Sequence, residues 1–170
     1  AWDLLDHPAH QGIQKWVQDL NRLHREEPAL HELDFSGEGF EWIDFRDADS
    51  SVLAFLRKPA TTGEIIMVAA NFTPVPRTNY RFGVPRAGYW RELLCSDSKI
   101  YGGSGYGNLG GVDAVPVPSH GHNYSLSLVL PPLGIVFLKS EAPAEWTIQP
   151  QEDAGLDDKG RAESTHLQTT

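Results

Sequence analysis

Apolar residues Ile13, Trp16, Val17, Leu20 and Leu23 recur at steps of three and four. This spacing predicts an amphipathic α-helix over about 10–25. Pro8 fits the first helical turn, Asp6 stands where a cap could sit, and Pro28 marks the end. An isolated helix this short is marginal in water, so its stripe requires a partner to be buried against. That partner is expected to lie outside this chain.

From Phe40 onward the period shortens to two, and Gly, Pro, Asn and Asp punctuate the runs. Strands are predicted over 40–45, 52–57, 65–71, 80–84, 89–94, 124–130 and 134–139. Trp42, Phe55 and Trp90 fall in these patterns and are expected in the core. Pro131 and Pro132 are expected to mark a final hairpin. Seven or eight short strands without helical pattern between them read as an antiparallel sandwich or barrel rather than a parallel sheet. The stretch 96–121 is rich in glycine, contains aromatics and has little strand character, so it is expected to be a long loop of functional or mobile kind. The organisation expected is 1–34 as helix and connector, 35–140 as β-domain and 141–170 as tail. The tail is polar and acidic and is expected to be disordered. A short strand near Trp146 is the alternative.

Composition narrows the function. The 170 residues include 14 basic and 23 acidic side chains, a net charge of −9. That charge repels phosphate backbones and anionic lipid, so neither nucleic acid nor membrane is expected as partner. No apolar run is long enough to span a bilayer, and 1–10 lacks the pattern of a signal peptide. Cys95 is the single cysteine, which forbids an internal disulfide and fits a reducing cytoplasm. The chain starts with Ala1 rather than Met, so a piece of a longer polypeptide is expected over a processed product.

Several chemical patterns prove weak in context. Gly105, Gly107 and Gly110 match a G-x-G-x-x-G spacing, but no helical pattern or βαβ unit follows, so no nucleotide cofactor is expected. His7 with His10, and His120 with His122, are too few convergent ligands for zinc, and no metal is expected. Ser104 is not set in a nucleophile elbow. The acid pairs Glu26 with Glu27 and Asp47 with Asp49 lie at a helix end and a turn, where solvated carboxylates are ordinary. Tyr89, Tyr101 and Tyr106 lie in or near the long loop and are the candidates for stacking on glucose rings, with loop packing as the alternative.

Longer strings are more specific. The run NFTPVPRTNYRFGVP, followed by GYWRELLCSD and YGGSGYGNLGG, resembles the C-terminal β-domain of bacterial 1,4-α-glucan branching enzymes of the α-amylase superfamily. His120-Gly121, Ser125-Leu126 and 130–133 continue the likeness. HQGIQKWVQDLNRLHREEPAL resembles the closing helix of that family's catalytic (β/α)8 barrel, and FEWIDFRDADSSVLAFLRK its first two following strands. The resemblance covers about 2–138. Cys95 departs from it, standing where asparagine is usual.

The resemblance implies a mainly β fold: an antiparallel Greek-key β-sandwich, the α-amylase C-terminal all-β domain, preceded by one barrel helix. It implies a parent enzyme of glycogen biosynthesis that cuts an α-1,4 chain and rejoins it through an α-1,6 bond. The parent's aspartate nucleophile, glutamate acid/base and second aspartate lie on barrel strands before the closing helix. No catalytic residue is therefore expected here. The partners implied are the parent's barrel and an α-glucan such as glycogen or amylose. Three hypotheses follow: a non-catalytic scaffold, a stand-alone carbohydrate-binding module, or a protein-interaction domain.

Overall fold

The structure is a computed structural model that describes residues 2–60 and 63–141. Beyond Glu141, the expected tail and its alternative strand lie outside the described residues.

Helix α1 runs Pro8–Glu26, with Pro8 in its first turn as predicted. The cap is His7 rather than Asp6, and its side chain makes no capping bond. The His7 carbonyl instead receives the amides of His10 and Gln11. At the far end Glu27 turns extended, as the residue before Pro28 must.

Among the described residues eight strands follow: β1 Phe40–Asp44, β2 Val52–Arg57, β3 Ile66–Asn71, β4 Arg77–Val84, β5 Gly88–Cys95, β6 Gly111–Ala114, β7 Tyr124–Leu130 and β8 Gly134–Ser140. Six of them form an antiparallel sheet in the order β1-β2-β3-β8-β5-β6, and β4 with β7 forms a second layer. Neither sheet closes, so the fold is a sandwich and not a barrel. Strands β5, β6 and β7 follow one another and β8 returns beside β5, which is Greek-key wiring. β6 arises inside the stretch read as loop. Its GVDA pairs with β5 through Val112 opposite Trp90, a contact no local pattern announces. Pro131 and Pro132 do not close a hairpin: β7 belongs to the small sheet and β8 to the large one, so they turn a corner between layers.

Helix α1 makes a third layer. Along β3, Met67 and Ala69 face the small sheet, while Ile66 and Val68 face the helix side. A strand buried on both faces reads as a continuous apolar run, which IIMVAA is. The inner core holds Leu56, Phe82, Trp90, Leu126, Leu128 and Leu138, each fully buried. The outer one joins Ala29, Leu30, Phe55, Leu93 and Phe137. Trp90 is thus core as expected, and Phe55 packs in the outer cluster. Trp42 is not core: it is 47% exposed, because β1 is an edge strand and α1 does not reach across it.

Candidate functional site

The glycine-rich stretch is fastened by acids. Asp97 accepts the Ser104 and Tyr106 amides, both at 2.9 Å, and the Ser104 hydroxyl at 2.7 Å. Burial pushes its carboxyl up, but these donations outweigh it and the net shift is downward. Glu92 accepts the backbone and side-chain N–H groups of Asn108, and Asn108 in turn exchanges bonds with Val129 of β7. The Cys95 thiol donates to the Tyr106 carbonyl, and burial raises its pKa to about 11, so it is a structural thiol.

So anchored, the loop presents Tyr101 to α1. The Tyr101 hydroxyl donates to Asp19 at 2.8 Å, and its ring meets Trp16 edge-on at 5.1 Å. Asp19 is buried but also pairs with Lys15 at 2.8 Å and Arg22 at 3.0 Å. Lys15 and Tyr101 hold its carboxyl below the usual carboxylate range. Burial and then Asp19 push the Tyr101 phenol upward. Contact is close: a Cβ on Gly12 would lie 2.3 Å from the Tyr101 carbonyl oxygen. Gly12, Trp16, Asp19 and Leu23 therefore make the docked face of α1.

The predicted apolar stripe splits on this docking. Trp16, Leu20 and Leu23 turn toward the sheet, whereas Ile13 is 63% and Val17 48% exposed. Leu4, before the helix, and Ile100, in the loop, are exposed as well. The helix thus has two apolar faces, one used and one open.

The three candidate tyrosines fare differently. Tyr101 is committed to the helix, Tyr89 is half-buried with its hydroxyl against Gly110 and Gly111, and Tyr106 is exposed. The structure does not bring them onto one face with a shared cleft. It gathers instead an aromatic edge at β1. Phe40 stacks on Phe55 at 5.1 Å, Trp42 lies 4.9 Å from Phe40 and 5.6 Å from Phe45, and Arg46 sits over the Phe45 ring. Trp42 and Phe45 are half exposed, so the expectation of Trp42 in the core does not hold. The edge position of β1, the first strand after the helix, was the available signal.

One acid of each pair serves structure: Glu27 meets Lys139 of β8 at 2.8 Å, and Asp47 accepts from Tyr80 and Ser50. Rings of His7 and His10 are 6.1 Å apart, and His120 and His122 each face a separate carboxylate. Among the described residues no group of three or more His, Cys, Asp or Glu could hold a metal ion. No described helix is long and apolar enough to cross a membrane.

Residues 42–141 match the family described as alpha amylase, C-terminal all-beta domain. The chain is 59% identical over 140 residues to the 1,4-alpha-glucan branching enzyme GlgB of Aquifex aeolicus, covering 82% of this chain and 22% of the relative. To the enzyme of the same name from Aromatoleum aromaticum it is 61% identical, with the same coverage. The chain thus spans about a fifth of the length of these relatives. A crystal structure of a trehalulose synthase is similar over 75% of this chain and 18% of its own, at 24% identity and a TM-score of 0.44.

Proposed function

Because this chain belongs to the alpha-amylase C-terminal all-beta domain family, we propose that it is the non-catalytic C-terminal part of a 1,4-α-glucan branching enzyme. Its role is to cap the catalytic barrel and hold the closing helix in place. The observation that carries this reading is the two-faced helix. One face is keyed into the sandwich through Gly12, Trp16 and Asp19; the other shows Ile13 and Val17 to solvent. A helix with two apolar faces belongs between two bodies.

The test uses a relative's branching enzyme lacking the matching C-terminal residues. The 170-residue chain is expected to be captured by it, and Ile13→Asp with Val17→Asp to abolish capture. Incubated with amylose alone, the chain should form no α-1,6 linkages. New linkages, or capture indifferent to those changes, would overturn the reading.

A second reading, glucan contact, is favoured by the half-exposed Trp42 and Phe45, since sugar rings stack on exposed aromatic faces. Titration with maltoheptaose should give saturable binding that Trp42→Ala weakens. For the loop, the expected contact at Tyr89, Tyr101 and Tyr106 reduces to Tyr106 as the accessible ring, and Tyr106→Ala is its test. No binding at millimolar sugar leaves the scaffold role alone.

A further inference from the structure

We propose that His120 is a positioning residue for the aromatic edge, acting as a neutral imidazole that ties the small sheet to the bulge in β1. The tie begins in a tight turn. Ser119 and His122 bond to each other through both amides, at 3.0 and 2.9 Å, and His120 and Gly121 between them have φ of 48° and 79°. Two positive φ values in a two-residue turn are the type I′ geometry. The turn lies hard on β4: a Cβ at Gly83 would come 1.9 Å from the Ser119 carbonyl oxygen. His120 also lies parallel to the buried Phe82 ring, 6.4 Å away.

Each imidazole nitrogen then meets a different group. The Gly83 amide donates to Nδ1 at 3.1 Å, and Asp44 of β1 lies 3.4 Å from Nε2. A backbone N–H can only donate, so Nδ1 must carry a lone pair and the proton belongs on Nε2, the nitrogen nearer Asp44. The Ser119 hydroxyl, 2.8 Å from Nδ1, adapts to either state because it rotates. Beside this contact, His122 reaches Glu41 at 3.1 Å, and Lys58 holds the other Glu41 oxygen.

Asp44 faces His120 because β1 is irregular between Trp42 and Asp44: Trp42 pairs with Phe55 but Asp44 pairs with Ala54. The extra residue lets both Ile43 and Asp44 turn inward. Glu41 and Asp44 thus bracket Trp42, and both are held by histidines of the same turn. Protonation at Nδ1 would set N–H against the buried Gly83 N–H, leaving a donor unmet. The edge that displays Trp42 is in this way linked to which nitrogen of His120 carries the proton. Its meaning for sugar rests on the glucan reading above; the position itself does not.

The test is ring nitrogen-15 NMR of the 170-residue chain at pH 8, with the Trp42 indole N–H as reporter. The ring shifts of His120 are expected to place its proton on Nε2. His120→Asn keeps an acceptor and a residue tolerant of positive φ but loses Asp44. It should move the Trp42 resonance and, if maltoheptaose binds the wild type, weaken that binding about fivefold. A proton on Nδ1 at pH 8, or a Trp42 signal unmoved by the substitution, would overturn the proposal. A wild type that binds no maltoheptaose would remove only the sugar reading, and the NMR arms would still decide His120.

Discussion

The two faces of the six-stranded sheet are held by different physics. Toward the small sheet the contact is apolar and dense, with Phe82, Trp90, Leu126 and Leu138 fully buried. Toward α1 much of the contact is a lock of few parts supplied by Tyr101 of the loop: its carbonyl against a glycine, its ring edge-on to an indole, and its hydroxyl on one buried carboxylate. The apolar side tolerates small shifts because dispersion is non-directional. The locked side does not, because a hydrogen bond and a close approach each specify a geometry. A domain that must stay folded while gripping a helix is served by that division.

The contrast breaks most visibly at Trp90. Trp90→Ala should cost about 3–5 kcal/mol, read in urea unfolding, since it empties the inner core. Gly12→Ala comes next, and its sign tests the lock. Helix propensity alone would stabilise by roughly 0.5–1 kcal/mol, yet a Cβ 2.3 Å from the Tyr101 carbonyl oxygen forces the helix off. Net destabilisation of about 1–3 kcal/mol is expected, with altered Trp16 emission. A gain in stability would mean the helix is not seated there.

Tyr101→Phe removes one donor from Asp19 while Lys15 and Arg22 remain, so a loss of about 1 kcal/mol is expected in the same unfolding assay. The pH profile of helix docking should show the gentlest change. Asp19 is held below its ordinary value of 3.8, so its contribution is present above that value and fades as pH falls through the folded pKa. Tyr101 is held above 10.0, so its contribution is present below that value and is lost as pH rises through its folded pKa. The hydrogen-exchange protection factors of α1, taken relative to the intrinsic rate at each pH, should therefore be highest between these limits. A profile flat through both would dissolve the distinction between the two faces.

Much of the architecture was legible in the residues. Strands β2 and β7 begin and end where the alternation does, and Pro8 and Pro28 bracket the helix. Less of the site was. The loop composition leaves Tyr101 open to sugar stacking or packing, and its ring and hydroxyl meet Trp16 and Asp19. Trp42 was counted as core because strand patterning reports which way a side chain points, not whether another layer covers it.

Local period, turn residues and proline positions were enough to determine the helix, nearly all the strands and the mainly β class, because each depends on neighbours a few residues away. Which face of α1 is keyed, which aromatic stays open and which nitrogen of His120 holds the proton were decided only by tertiary structure. Those outcomes hang on pairs such as Tyr101 and Asp19, 82 residues apart, or His120 and Gly83, 37 apart. No pattern along the chain encodes a meeting between residues that only the tertiary packing brings within hydrogen-bonding distance.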